Sequence, residues 1–181
     1  MRDDLDPDIV RSLIDYDPET GVLTWRERPR EMFCSERIWK AWNTRRAGKI
    51  AFTAVNAHGY HVGAIFRRNY LAHRVIWLIM TGDWPTDEID HIDHNPNNNR
   101  WANLRAVTHQ ENCLNQRMRS TNTSGVSGVF YDATKGKWIA HIHADGRAKN
   151  LGPFSNIADA AEARSAAEKL YGYHFNHGRK L

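Results

Sequence analysis

The middle of this chain reads Ile89-Asp90-His91-Ile92-Asp93-His94-Asn95, then Asn103-Leu104-Arg105, then Thr108-His109-Gln110-Glu111-Asn112. The first run is predicted to be a strand that enters a loop, since Asn95-Pro96-Asn97-Asn98-Asn99 is a run of turn residues. The third run opens a helix, because its Thr and Glu have the spacing of a capping box. The pattern predicts two antiparallel strands and a helix that bring an acid, a base and two amides close together.

These side chains can close around one divalent cation, and each suits a task in hydrolysing a phosphodiester bond. His91, with an ordinary pKa of roughly 6.5, can take a proton from water. Asp90 and the amide oxygen of Asn112 are hard oxygen ligands, which favours Mg²⁺, with Mn²⁺ also accepted. Asn103 lies where it can hold the loop and orient His91. A site with two metal ions would need more carboxylates, so we expect one metal ion.

The same residues resemble the HNH (ββα-metal) nucleases, especially those of phages and mobile introns. The resemblance covers roughly Leu71 to Arg117 and rests on Asp90-His91-Ile92-Asp93, Asn95, Asn99-Arg100, Asn103-Leu104-Arg105, Val107-Thr108 and Asn112. It implies that His91 is the general base and that Asp90 and Asn112 bind the metal. It also implies that Asn103 is the structural middle Asn of the signature. The third signature position is Asn112 here and not His, which keeps an amide ligand.

A zinc knuckle is the competing interpretation of this segment. Two pairs of potential zinc ligands lie on the hairpin and on the helix: His91, His94, His109 and Cys113. This interpretation leaves Asp90, Asn103 and Asn112 without a role, and structural zinc sites are usually richer in thiolate. The zinc content of protein purified without added metal would distinguish the two.

The composition is that of a globular protein with a basic surface. The chain has 181 residues, 41% hydrophobic and 25% charged, and a formal net charge of +4. Residues 26–49 carry eight Lys and Arg against three Glu, which fits a polyanionic partner. Two distant cysteines predict a reducing compartment, and no apolar run is long enough for a membrane span. We therefore expect a soluble intracellular protein that does not associate with membranes. The resemblance to nucleases of phages and mobile introns implies the bacterial cytoplasm and a gene carried by a phage or mobile element.

The C-terminal region resembles the apetala/ethylene-response-factor DNA-binding fold, three strands packed on one helix. The resemblance covers about Ser124 to Asn176 and rests on Gly128-Val129-Phe130-Tyr131, Gly136-Lys137-Trp138-Ile139-Ala140, Leu151-Gly152-Pro153-Phe154 and an Ala-rich helix up to Leu170-Tyr171-Gly172. Such a sheet can lie in the major groove. The chain departs from the plant pattern at Phe130, His141 and His143, so no base preference carries over.

Basic and aromatic residues in the central and C-terminal segments are the candidates for DNA contact. They are Arg74, Arg105, Arg117, Arg119, Tyr131, Lys137, Trp138, His141, His143, Arg147 and Lys149. The expected partner is double-stranded DNA, bound by a monomer or a weak homodimer. The N-terminal arginines and tryptophans also suit phosphate contact, but no role is assigned to any single residue there.

The expected fold class is α+β, with a ββα-metal core and a C-terminal three-stranded antiparallel sheet packed on one helix. The predicted divisions are a β-rich basic region at 1–69, the nuclease core at 70–119, a flexible linker at 120–126 and a sheet-plus-helix module at 127–181. Within the core, helices are predicted over Leu71–Met80 and from Thr108 to about Arg119.

The sequence thus predicts a metal-dependent DNA endonuclease that nicks or cuts duplex DNA and is targeted by its C-terminal module. Two alternatives stay open. One is a non-catalytic DNA-binding regulator that uses the same core as a scaffold. The other is a nuclease that acts on RNA.

Overall fold

The computed structural model describes residues 5–179 and divides into two compact units, one ending at Thr108 and the other beginning at His109. The predicted divisions lay elsewhere, after residues 69, 119 and 126. The difference arises because the site hairpin shares a core with the N-terminal region, to which it contributes Ile89 and Leu104. Among the described helices, none is long and apolar enough to cross a membrane.

The N-terminal unit opens with a short helix and a hairpin. Helix α1 (Pro7–Leu13) begins where the Asp6 carboxylate accepts hydrogen bonds from two backbone N–H groups, which a helix N-terminus otherwise leaves unpaired. Strands β1 (Ile14–Asp17) and β2 (Val22–Trp25) then pair antiparallel. Their turn ends at Gly21, whose φ of 76° lies in the left-handed region that glycine adopts without strain.

The basic segment after β2 holds a helix that the sequence pattern did not reveal. A 3-10 turn at Arg30–Met32 precedes α2 (Glu36–Arg46), and the Ser35 hydroxyl accepts the N–H of Ile38 at 3.3 Å as its cap. No residue of α2 is buried, so its sequence has no apolar period by which to predict it. The region expected to be rich in strand therefore contains helices as well.

A three-stranded antiparallel sheet follows, in the order β3 (Ala54–Val55), β4 (His61–Ile65) and β5 (Arg68–Leu71). Helix α3 (Ala72–Thr81) continues directly from β5. It ends at Gly82, which has a φ of 88°, at the position where the sequence predicted a helix stop.

The site hairpin consists of β6 (Glu88–His91) and β7 (Leu104–Val107), which pair antiparallel. A 3-10 turn at Trp101–Asn103 leads into β7. Both strands rest on the core of the N-terminal unit, whose most buried members come from α1, β1, β2, β4, β5 and α3. These are Val10, Leu13, Ile14, Leu23, Ile65, Tyr70, Val75, Ile76 and Leu78. The hairpin thus enters the fold as part of this core.

The C-terminal unit begins with α4 (His109–Cys113), which is shorter than the helix predicted to reach Arg119. The chain leaves the helix because its backbone pairs with the C-terminal segment instead. The carbonyls of Leu114 and Gln116 accept from the N–H groups of His174 and Gly178 at 3.1 and 2.9 Å. Tertiary hydrogen bonds here override a local helix preference.

The predicted three-stranded sheet on one helix is confirmed. Strands β8 (Val129–Asp132), β9 (Lys137–Ala144) and β10 (Arg147–Phe154) form an antiparallel sheet in the order β10-β9-β8. Helix α5 (Ile157–Leu170) packs against it, with Ala160 and the sheet residues Val129 and Ala140 buried together. Small side chains let the helix approach the sheet closely.

The segment expected to be a flexible linker, 120–126, is tied to the sheet by its polar side chains. The Ser124 hydroxyl bonds the carbonyl of Val129 at 2.6 Å, and the Asn122 amide donates to the carbonyl of Val126 at 2.9 Å. The backbone N–H of Gly125 in turn donates to the Asn122 side chain at 2.7 Å. The polar residues that suggested a linker are the ones that make these local bonds.

The two-residue turn between β4 and β5 is strained. Its residues, Phe66 and Arg67, have φ values of 49° and 65°, although β-hairpins of this kind favour Asn-Gly or Asp-Gly. The corresponding turn between β9 and β10 does use such a pair, Asp145-Gly146, with φ values of 54° and 72°. A bulky side chain in the left-handed region costs roughly 1–2 kcal/mol.

Replacing Phe66-Arg67 by Asn-Gly should therefore stabilise the N-terminal unit. We expect the free energy of unfolding to rise by about 1–2 kcal/mol, because the new residues adopt the turn without strain. Urea denaturation followed by tryptophan fluorescence measures the change. The single variant Arg67→Gly should show part of it, and unchanged midpoints in both variants would contradict the strain.

Candidate functional site

The predicted acid and base occupy the last two positions of β6 and are both buried. Asp90 is 8% exposed and His91 is 4% exposed. Asp90 lies opposite Arg105 in the strand register, and His91 lies opposite Leu104. Because successive strand residues point to opposite faces, the carboxylate and the imidazole are presented on different sides of the hairpin.

The Asp90 carboxylate is held by a two-point ion pair. Arg105 donates to Asp90 Oδ2 from Nε at 3.0 Å and from Nη2 at 2.8 Å. A guanidinium bonded in this way fixes the rotamer of the carboxylate and neutralises its charge. A DNA contact by Arg105 stays a prediction, although two of its guanidinium nitrogens are bonded to Asp90.

The His91 ring is oriented by an amide from the hairpin loop. His91 Nε2 lies 3.2 Å from Asn99 Oδ1, and Asn99 is itself 5% exposed. With an amide oxygen facing it, Nε2 carries the proton, which leaves Nδ1 as the acceptor nitrogen. Burial lowers the pKa of His91, and the hydrogen bond that the ring donates to Asn99 only partly opposes this effect. The imidazole is therefore neutral and able to accept a proton near pH 7.

A second histidine packs behind the first. The ring of His73 on α3 meets the His91 ring edge-on at 5.2 Å between centroids, and Tyr60 lies 5.0 Å from His73. Burial, reinforced by the neighbouring His91 and Arg74, lowers the pKa of His73 to about 3. Two adjacent imidazoles in a buried site are thus both held neutral. Sequence reasoning assigned no role in orienting His91 to His73, Tyr60 or Asn99.

Asn103 fastens the loop that carries these residues. Its Nδ2 donates to Asp93 Oδ1 at 2.9 Å and to the carbonyl of Asn98 at 2.8 Å, and its Oδ1 accepts the N–H of Asp93 at 3.1 Å. Burial raises the pKa of Asp93, but bonds from Asn98, Asn95 and Asn103 outweigh it, and the pKa is lowered. Asn103 therefore acts on the loop, as its predicted structural role requires.

The N-terminal hairpin supports the same loop from outside. The Tyr16 hydroxyl donates to the carbonyl of Asn99 at 2.8 Å, and the N–H of Trp101 donates to the carbonyl of Pro18 at 3.1 Å. Burial raises the pKa of Tyr16 to about 12, so this donor keeps its proton. The backbone of Gly21 approaches so closely that an added Cβ would lie 2.6 Å from Asn99 and Arg100 backbone atoms.

Arg74, another predicted DNA contact, is bonded within the protein. Its Nη2 donates to the carbonyl of Pro85 at 3.0 Å, and its Nη1 donates to that of Asp87 at 3.3 Å. These bonds fix the segment between α3 and β6. The structure thus gives Arg74 a structural role that its charge alone did not suggest.

Asn112, the second predicted metal ligand, lies on α4 in the C-terminal unit. Arg117 and Arg119 follow it, and with His141 and His143 they line an open cavity of about 1170 Å³ in that unit. These four predicted DNA contacts are therefore brought together at one basic surface.

The candidates on the sheet divide between its two faces, because side chains alternate along each strand. Trp138 packs on the cluster beneath the sheet, formed with Val129 and Ala140. Lys149 contacts the Tyr171 ring at 4.4 Å and bonds Asp145. The DNA contact of Trp138 stays a prediction, and the structure shows that this side chain packs against the cluster.

The remaining sheet candidates differ in position. Lys137, His141 and His143 alternate with the helix-facing residues of β9 and so share the outer face. The exposed ring of Phe130 joins them, 5.8 Å from the ring of His141. On the other face, Tyr131 lies opposite Trp138 and Arg147 opposite Ala144, and both are exposed. A duplex approaching the outer face would meet only the first group.

The buried carboxylate of Asp90 is a hard oxygen ligand. Across residues 5–179, no group of three or more His, Cys, Asp or Glu side chains is arranged to hold a metal ion. A buried carboxylate of fixed orientation suits Mg²⁺, which commonly keeps several waters and takes one or two carboxylates from a protein.

Comparison with known proteins finds a similarity in the central segment. Residues 70–114 match the family model described as HNH endonuclease, which covers less than half of the chain. The matched range contains β6, β7 and α4, so the residues that resembled an HNH signature lie within the part of the chain that is similar to this family.

Two viral proteins are similar over longer stretches. Protein 3.8 of Escherichia phage T7 is 34% identical over 80 residues, which are 44% of this chain and 66% of that protein. The uncharacterized HNH endonuclease L560 of Acanthamoeba polyphaga mimivirus is 34% identical over 103 residues, 55% of this chain and 52% of the relative. The chain thus spans less than two thirds of either relative.

One solved structure, described as DNA binding and cleavage by the HNH homing endonuclease I-HmuI, aligns over 95% of this chain and 93% of its own. The TM-score is 0.43 and the sequence identity is 20%.

Gly21→Ala should destabilise the N-terminal unit by at least about 2 kcal/mol, because a Cβ there meets the loop backbone as well as a positive φ. Gly48→Ala is the matched control: its φ is 72°, but nothing lies within 4 Å of the added Cβ. We expect the control to lose only about 1 kcal/mol. Equal losses in urea denaturation would show that the contact with the loop does not matter.

Acid should destabilise the N-terminal unit through His73. Its folded pKa of about 3 lies below the unfolded value of roughly 6.5, so the unfolded chain binds a proton that the fold excludes. Stability is complete above pH 6.5 and falls as the pH drops toward 3, by about 3 kcal/mol at pH 4. His73→Phe should flatten this slope in denaturation curves between pH 4 and 7. The same change at exposed His58 should leave the slope as it is.

Proposed function

We propose that this chain is a metal-dependent DNA endonuclease in which His91 removes a proton from the attacking water. The observation that carries the proposal is the bond between His91 Nε2 and Asn99 Oδ1 within a buried site. It fixes the ring and leaves Nδ1 as the nitrogen that would accept a proton from water, while burial keeps the imidazole neutral. A base positioned in this way contributes roughly 10²–10⁴-fold to the rate.

The resemblance to the HNH nucleases implies Asp90 and Asn112 as metal ligands, with Mg²⁺ as the expected ion and Mn²⁺ as a substitute. A divalent cation there would neutralise the charge that builds on the scissile phosphate. Arg105 keeps the Asp90 carboxylate in one orientation, and the Asn103 bonds keep the loop from shifting. Arg105 and Asn103 therefore preorganise the site and take no direct part in the bond changes.

The HNH endonuclease match and the viral relatives support the nuclease assignment. Duplex DNA is the proposed substrate, and the C-terminal module is proposed to target the enzyme through the outer face of its sheet. The apetala/ethylene-response-factor resemblance supports that role. With one site per chain, a monomer would nick, and a double-strand break would need two events or a weak homodimer. The resemblance implies a 5′-phosphate and a 3′-hydroxyl at the cut.

A non-catalytic DNA-binding regulator is the second candidate, and one observation favours it. Arg105 already neutralises Asp90, so the fold does not need a cation to tolerate this buried carboxylate. In that case the hairpin would serve as a scaffold. Binding of DNA without cleavage in Mg²⁺ or Mn²⁺ would support this candidate.

His91→Ala should lower plasmid nicking by at least about 10²-fold, because it removes the proposed general base, while DNA binding persists. The experiment incubates supercoiled plasmid with the full chain and Mg²⁺, and scores nicked and linear product on a gel. Exposed His58→Ala is the matched control and should cut like the parent. EDTA should stop the reaction.

Two outcomes would contradict this assignment. Cutting by His91→Ala at the parent rate would contradict the assignment of His91 as the general base. Cutting in EDTA would contradict the dependence on a metal ion. A parallel reaction with structured RNA decides the substrate class, and preference for RNA would replace DNA in the proposal.

A further inference from the structure

The N-terminal unit has a second basic surface that the proposed chemistry does not use. A cavity of about 560 Å³ lies between β2, α2 and the β3–β5 sheet. Three arginines line it, Arg28, Arg46 and Arg67, and no acidic residue is part of its lining. Among the described residues, no carboxylate lies within ion-pair distance of these three arginines. The cavity is therefore a site of uncompensated positive charge.

Arg28 is fixed in this cavity by aromatic rings. Its guanidinium carbon lies 4.0 Å from the Trp42 ring centroid and 5.2 Å from that of Trp25. Burial lowers the pKa of Arg28, and its Nε is buried with no hydrogen-bond partner among the described residues. A buried cationic donor of this kind has stacking partners but lacks an acceptor, which an approaching phosphate would supply.

Phe66 stands at the rim of the same cavity, on the tip of the β4–β5 hairpin. It is 49% exposed, although its ring is large and apolar. Its φ of 49° and that of 65° at Arg67 place both side chains in a strained turn that Asn-Gly would fill without cost. Strain of this kind is retained where the resulting side-chain position has a use.

We propose that the β4–β5 hairpin tip is a wedge that inserts Phe66 between stacked bases of duplex DNA, while Arg67, Arg46 and Arg28 neutralise the flanking phosphates. This inference rests on the proposed DNA binding and not on the cleavage chemistry. Apolar side chains that enter a base step unstack it and kink the duplex by about 20–90°. Such a kink would let the nuclease engage a deformed duplex.

The chemistry of the surface favours DNA over other partners. An aromatic ring alone would suit a protein or a membrane, but here it projects beside three arginines that lack carboxylate partners. Phosphate groups on both sides of a base step match that arrangement in charge. DNA stacking supplies the apolar slot that the ring needs.

Unwinding of a closed plasmid tests the wedge without knowledge of a target sequence. The His91→Ala chain is bound to plasmid in EDTA, and a type I topoisomerase that needs no metal relaxes the DNA. After removal of protein, a gel resolves the change in linking number. We expect a clear shift in linking number for the His91→Ala chain, which is the parent in this experiment. Adding Phe66→Ala should abolish the shift at equal occupancy, and adding Phe66→Leu should retain most of the shift. Exposed Ile9→Ala on α1 is the matched control and should behave like the parent.

The outcomes separate the wedge from the proposed function. Plasmid binding without a linking-number shift in the parent, or an undiminished shift in Phe66→Ala, overturns the wedge alone. Absence of plasmid binding overturns the proposed function together with it. Phe66-dependent binding to anionic lipid vesicles, with no Phe66-dependent unwinding, assigns the surface to membranes and overturns the proposal.

The Asn-Gly replacement of Phe66-Arg67 provides an independent measurement. It should raise the melting temperature of the chain and abolish the linking-number shift, because it relieves the strain and removes the ring. A variant that is more stable but still unwinds DNA like the parent would also overturn the wedge.

Discussion

The site depends on the hydrogen bond between His91 and Asn99. A buried imidazole needs a partner that fixes its tautomer, and the amide oxygen of Asn99 is 3.2 Å from Nε2. Asn99 is itself held by Tyr16, whose hydroxyl binds its carbonyl, and by the close approach of Gly21. The N-terminal hairpin therefore determines the orientation of His91, about seventy residues later in the chain. The loop that carries Asn99 has little freedom to rearrange.

Around the site hairpin, the buried carboxylate is paired with a cation and the buried histidines are neutral. The Asp90 carboxylate is buried and matched by Arg105, while His73 and His91 are kept neutral because both rings are removed from water. A buried acid without its partner would cost several kcal/mol. The arrangement leaves a neutral proton acceptor near a fixed carboxylate. In a nuclease, these are the groups that need to be in place before the substrate arrives.

Each unit has a basic surface, and backbone geometry decides which side chains belong to it. On β9, alternation places Lys137 and His141 on one face and sends Trp138 into the packing beneath. On the β4–β5 hairpin, a left-handed turn exposes Phe66 beside the arginines of the cavity. Sequence composition identified basic regions in both places, but the backbone decides which side chains can meet a partner together.

The sequence by itself determined the elements that depend on local pattern: the helix that ends at Gly82, the hairpin around Asp90-His91, and the C-terminal sheet with its Ala-rich helix. Turn residues, caps and periodicity act over a few positions, so they can be read without a fold. The tertiary structure alone decided that α4 stops at Cys113, where backbone groups bond a distant segment. It alone committed Arg105 to Asp90 and joined Asn99 to His91. Hydrogen-bond partners far apart in sequence leave no periodic signal, because only packing brings them within reach.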